Sequence, residues 1–194
     1  MAHPNLVAYV DSGVAAETPF LVMEYISAST LREQVNKGAK MTHQETASLL
    51  LSMCRGLVAL HNAGYVHGDV TPANIFVGSD DEPAKLGDFG VAADLSQPQS
   101  QVKGTYAYMS PEQVRGEPLT AASDLFALGT IGWELLTGDR LFKRNEPFLT
   151  LRAVVEDTTP KLPDSPLADA LMTCLQKDPS ARLPASDLLS ALAI

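Results

Sequence analysis

The sequence predicts an α+β protein in which a short β-rich opening precedes a mostly helical lobe. Three observations predict it. β-prone runs are confined to the first 25 residues and to two short pieces, Ile75-Phe76-Val77 and Ala84-Lys85-Leu86. Two capping-box patterns, Thr30 with Glu33 and Thr42 with Glu45, mark early helix starts. From Pro111 onward, apolar residues recur at helical spacing. At 194 residues the chain is long enough to bury a substantial core.

In chain order, residues 6–10 and 20–25 read as two antiparallel strands joined by a turn-rich piece holding Asp11, Ser12 and Gly13. The capping boxes then open two helices. The second repeats Ala47, Leu50, Leu51, Cys54, Leu57 and Val58, which form one buried face. The two short β pieces flank a turn at Ser79-Asp80-Asp81. A polar, proline-broken stretch over 94–103 reads as a mobile loop. Helices are expected over about 123–136, 148–155, 167–176 and 185–192. Two strands alone make a marginal hairpin. Their open edges and apolar face invite a partner chain to cover them.

The composition is that of a water-soluble globular protein, with 45% hydrophobic and 19% charged residues. A net charge of −9 argues against nucleic acid or an anionic membrane surface as the main partner. The longest apolar stretch, 125–136, is broken by Glu134 and is too short to cross a bilayer, which takes about 20 residues. The first residues lack the basic-then-apolar pattern of a secretory signal. Cys54 and Cys174 each lie in an apolar helical pattern and read as buried, reduced thiols. A cytoplasmic protein, or the cytoplasmic piece of a longer one, is expected.

Three motifs carry chemistry: His67-Gly68-Asp69-Val70-Thr71-Pro72-Ala73-Asn74, then Asp88-Phe89-Gly90, then Ser110-Pro111-Glu112. In this order they resemble the catalytic loop, the magnesium loop and the end of the activation segment of the protein kinase family, most similarly the bacterial-type serine/threonine kinases. Asp124-Leu125-Phe126-Ala127-Leu128-Gly129 resembles the family's central helix, whose aspartate ties down the catalytic-loop backbone. Asp178-Pro179-Ser180-Ala181-Arg182 resembles the segment before its last helix, with Arg182 paired to Glu112.

The resemblance implies a protein-kinase-like fold, with residues 1–26 as a remnant of the small lobe and hinge and 27–194 as the large lobe. It implies ATP and Mg2+ as cofactors and a protein carrying Ser or Thr as substrate. Asp69 would orient or deprotonate the acceptor hydroxyl, and Asn74 and Asp88 would hold magnesium. Met23 would be the gatekeeper. Glu24 and Ile26 would belong to the hinge that holds adenine through backbone groups, and Ile75 and Phe76 would form the floor beneath it. His67 and Phe89 would join an internal stack between the lobes. Thr105, in Gly104-Thr105-Tyr106-Ala107-Tyr108-Met109, matches the threonine that bonds the catalytic aspartate in serine/threonine kinases.

The pattern departs from the family at three points. Gly68 stands where many members carry an arginine that receives an activation-loop phosphate. Thr71 stands where a lysine contacts the moving phosphate, and loss of one such donor costs about 10²–10³ in rate. The Gly-rich loop, the strand lysine and its helix glutamate belong upstream of His3. His3 and Lys103 are the nearby basic residues, and neither sits in a motif that places it as a substitute. Two functions therefore stand side by side: a kinase whose beginning lies outside the given chain, and a non-catalytic, pseudokinase-like binding module.

Because position 68 offers no cation, phosphate on the 94–103 loop has no counterpart there. Replacing Ser96 and Ser100 together with alanine is expected to leave phosphoryl transfer unchanged in a radiolabel assay, whereas a large loss would show that the loop is read by another route.

Overall fold

The computed structural model describes residues 2–38, 41–78, 82–88, 93–94 and 105–192. Strands β1 (Tyr9–Ala15) and β2 (Thr18–Met23) form an antiparallel hairpin, with Ala15 opposite Thr18 and Tyr9 opposite Met23. Its turn is the pair Ala16 and Glu17, at φ +47° and +66°. Positive φ at both central residues belongs to the two-residue turns whose twist matches the flanking strands.

The turn expected at Asp11-Ser12-Gly13 is thus displaced, and those residues lie inside β1. Gly13 faces Phe20, and a Cβ at Gly13 would come within 2.6 Å of the Phe20 ring. The glycine makes room for a cross-strand aromatic instead of bending the chain. The start of the first strand is also displaced. Residues 5–7 run beside a later strand, with Val7 N–H donating to Leu86 O (2.9 Å) and Leu86 N–H to Asn5 O (2.9 Å). The hairpin beyond them is wet, with Val14 71% and Leu21 54% exposed.

Both expected capping boxes are present, opening α1 (Leu31–Asn36) at Thr30 and α2 (His43–Asn62) at Thr42. On α2 the buried face is centred on Thr46, Leu49, Leu50, Met53, Cys54, Leu57 and Leu60. Ala47, Leu51 and Val58 flank it, half-buried. Four two-residue strands follow: β3 (Tyr65–Val66), β4 (Ile75–Phe76), β5 (Lys85–Leu86) and β6 (Ala93–Asp94). β4 pairs with β5, as the sequence suggests, and β3 pairs with β6, which it does not announce.

The remaining helices are α3 (Pro111–Val114), α4 (Ala121–Thr137), α5 (Pro147–Glu156), α6 (Pro166–Cys174) and α7 (Ala185–Leu192). Short α3 is opened by a third capping box, Ser110 with Gln113. Along α4 every residue from Ser123 to Trp133 is buried, because α2 and α6 pack on it. α7 closes over α2, where the Cys54 thiol meets Ala185 O at 3.2 Å. Burial pushes the Cys54 and Cys174 thiols up to about 12, so both are protonated packing residues. Among the described residues no helix is long and apolar enough to cross a membrane.

One ion pair joins the two ends of this lobe. Arg182 meets both oxygens of Glu112, at 2.6 and 2.8 Å, and both side chains are buried. Ser123 Oγ donates to the same carboxylate at 2.8 Å. The remaining guanidinium donors reach Gln176 O, Ala122 O and Lys177 O, and its plane lies 5.0 Å from the Phe126 ring centre. Such a pair offsets its desolvation because nearly every polar atom is satisfied.

Removing one partner leaves a buried charge, so Arg182→Met is expected to destabilise by about 3–5 kcal/mol in urea unfolding. Burial pushes the Glu112 carboxyl up, but Arg182 more than offsets it and holds it below the ordinary carboxylate value. A lowered folded value stabilises above the unfolded value and is lost as pH falls through the folded one. The stability gap between the wild type and Glu112→Gln should therefore be full at neutral pH and close in acid.

Candidate active site

The site is built around the loop from His67 to Asn74, which leaves β3 and enters β4. Its backbone is held from below by Asp124, on the first turn of α4. Asp124 Oδ2 accepts from His67 N–H (2.9 Å) and Oδ1 from Gly68 N–H (2.8 Å). His61 Nε2 lies 2.8 Å from Oδ2. The resemblance assigned this backbone-holding task to Asp124, and the geometry agrees.

Gly68 has φ +76°, in the left-handed region where a side chain costs strain. Its carbonyl accepts from Gln113 Nε2 at 2.8 Å, so the loop is stitched to α3 as well as α4. His67 is fully buried. Its Nδ1 accepts from Asp69 N–H (3.2 Å), which leaves Nε2 to donate to Gly87 O (3.0 Å).

Asp69 is half-buried and gripped on both carboxylate oxygens. Asn74 Nδ2 donates to Oδ2 (3.2 Å) and to the Asp69 carbonyl (2.9 Å), and Thr105 N–H donates to Oδ1 (3.1 Å). The bond between Thr105 and Asp69 thus runs through the Thr105 backbone. With Nδ2 committed to Asp69, the Asn74 amide keeps its oxygen for a cation.

Asn74 O accepts from Gly87 N–H at 2.8 Å, which sets Asp88 beside the loop. Asp88 has φ +61°, an uncommon region for a residue with a side chain and one that clusters at functional sites. Hard oxygens from an amide and a carboxylate, on adjacent backbone segments, form a donor set that suits magnesium. Thr71 is 2% exposed, and its carbonyl accepts from Asn74 N–H.

Met23, which the resemblance makes the gatekeeper, ends β2 and is exposed, while Glu24 and Ile26 are half-buried. On β4, Ile75 lies wholly in the core and Phe76 keeps part of its surface. Alternation along β4 separates them in this way.

The motifs left two features unread. Lys85 Nζ meets both oxygens of Glu24 at 2.7 Å. Tyr108 donates to Glu134 Oε2 (2.9 Å), Arg140 Nε donates to Oε1 (3.0 Å), and the guanidiniums of Arg32 and Arg140 lie 5.7 and 5.2 Å from the Tyr108 ring. Burial, then the Glu134 charge, pushes the Tyr108 phenol well above its usual range, so it stays a donor. This network props the segment that follows Thr105. Phe89, Gly90, Ser96, Ser100, Lys103, Gly104 and the Ser79-Asp80-Asp81 turn lie outside the described residues.

The chain belongs to the protein kinase family: residues 1–192 match its protein kinase domain. It is 34% identical over 213 residues to the probable serine/threonine-protein kinase PknB of Corynebacterium glutamicum, covering 98% of this chain and 32% of that protein. It is 34% identical to the serine/threonine-protein kinase PkaB of Streptomyces coelicolor (98% of this chain, 49% of that one). To the serine/threonine-protein kinase PknB of Mycobacterium leprae it is 36% identical (81% and 27%). The chain spans between about a quarter and a half of the length of these curated relatives.

Asparagine at position 124 would turn an NH2 group toward one of two backbone donors. Asp124→Asn is therefore expected to lose about 2–3 kcal/mol of stability, measured by urea unfolding, with faster amide exchange across 66–70.

Proposed function

We propose that this chain carries the phosphoryl-transfer site of a serine/threonine protein kinase, moving the γ-phosphoryl group of ATP to Ser or Thr hydroxyls of a protein substrate in signalling. The observation that carries the reading is the grip on Asp69: two donors, Asn74 Nδ2 and Thr105 N–H, aim its carboxylate while it stays half-buried. An aspartate so held can accept the acceptor hydroxyl's proton in a fixed direction. Asn74 and Asp88 hold magnesium, which when bound neutralises charge on the phosphates. The hinge backbone at Glu24 and Ile26, below gatekeeper Met23, holds the adenine over Ile75 and Phe76, of which Phe76 keeps exposed surface. Thr71, 2% exposed, brings no charge to the site, which favours slow turnover. In this reading residues 1–26 are small lobe and hinge, 27–194 are the large lobe, and the protein works in the cytoplasm, where ATP and reduced thiols are found.

A second reading, a non-catalytic binding module, is favoured by the hairpin, whose apolar side chains stand in water and suit a covering partner chain. Nucleotide binding separates the two. Calorimetry with MgATP is expected to show binding that weakens at least about tenfold in Asp88→Asn, a loss of about 1.4 kcal/mol. Asp69→Asn should bind nucleotide as the wild type does and transfer no phosphate. Absence of binding at millimolar MgATP would leave the module.

A further inference from the structure

The hinge is tied to the helical lobe by a side-chain contact that the transfer chemistry does not use. Lys85, on β5, meets Glu24 with Nζ 2.7 Å from each carboxylate oxygen. The same Glu24 is stitched to the start of the chain in both directions. Its N–H donates to Ala8 O at 2.9 Å, and its Oε1 accepts from Ala8 N–H at 2.6 Å. Residues 5–7 are in turn bonded to Leu86, the neighbour of Lys85. The contacts close a ring: β5, residues 5–8, Glu24, and back through the ion pair to β5. Among the described residues it is the one ion pair between the hairpin with its hinge and the helical lobe.

We propose that Lys85 and Glu24 form a positioning clasp that fixes the hinge backbone relative to Asp88, three residues beyond Lys85. The inference rests on the reading of hinge and Asp88 given above. Lys85 is a positioning residue: it orders the hinge through Glu24 and touches no reacting atom. β5 runs from Lys85 to Leu86, Gly87 N–H bonds Asn74 O, and Asp88 follows, so the strand that anchors the hinge also leads directly into the metal-binding aspartate. A clasp at this point holds two ends of one nucleotide at a fixed separation. The pair is partly exposed, with 23% of the Lys85 side chain and 28% of the Glu24 side chain in solvent, so its effect is modest and weakens with salt.

The test compares Lys85→Met, Lys85→Arg and Glu24→Gln with the wild-type chain, without nucleotide and then with MgATP. Amide hydrogen exchange over residues 22–26 is expected to speed up about fivefold in Lys85→Met and Glu24→Gln. Exchange in α4 should not change, and Lys85→Arg should restore the wild-type pattern. The KM for ATP should rise in Lys85→Met by a similar factor, with kcat at saturating ATP little altered. Unchanged hinge exchange in Lys85→Met would overturn the clasp. Equal acceleration in α4 would also overturn it, because the pair would then only stabilise the fold. A wild-type chain that fails to bind MgATP would sink the kinase reading itself, while the nucleotide-free exchange would still decide whether the clasp exists.

Discussion

The Asp124 carboxylate sits at the foot of the buried helix α4 and holds two successive amides of the loop that presents Asp69. Everything proposed for the site hangs on those two bonds. They fix His67, whose ring joins Asp69 N–H to Gly87 O, and Gly87 in turn fixes Asn74. A carboxylate bonded to backbone N–H groups in a dry interior gains more than the same contact in water. It is affordable here because α4 is walled on every side and cannot shift without opening the core. The polar network and the apolar core are therefore one construction: the core immobilises the anion, and the anion shapes the loop.

The two halves of the protein are held by different physics. The helical lobe is closed by long-range burial and by the satisfied Glu112–Arg182 pair. The hairpin rests on its own ladder and on a few roots at residues 5–8 and 24–32, where Val77 N–H bonds Ser29 O and Arg32 N–H bonds Pro72 O. Local opening should be easiest there, since few apolar contacts would be lost. Residues 24–26 are thus the point where a rigid platform meets a loosely held ribbon.

Much of this was legible in the sequence, for identifiable reasons. Capping boxes at Thr30 and Thr42 are local, so one pair of residues in each sufficed to place a helix start. Asp69, Asn74, Asp88 and Asp124 fall in motifs whose order and spacing carry the family resemblance. What escaped was non-local or carried by backbone. Ala16 and Glu17 are not turn-forming types, and their positive φ is imposed by the register of the flanking strands. Glu24 and Lys85 are 61 positions apart, and Tyr108 and Glu134 are 26 apart. Neither pair has a spacing that a pattern could catch. The motif named the Thr105–Asp69 pair but not the amide that makes the bond, an atom that residue identity does not encode.

The packing of α7 on α2 bears on how the protein emerges from the ribosome. Cys54 meets Ala185 across 131 positions, so the apolar face of α2 is synthesised long before the helix that covers it. Domains close through long-range contacts only after loop-closure entropy is overcome. Until residues 185–192 are made, Cys54 and the α2 surface around it therefore belong to a nascent chain without its final cover. Native closure of this face waits until residues 185–192 have cleared the exit tunnel, and up to that point the uncovered apolar surface is open to non-native contacts.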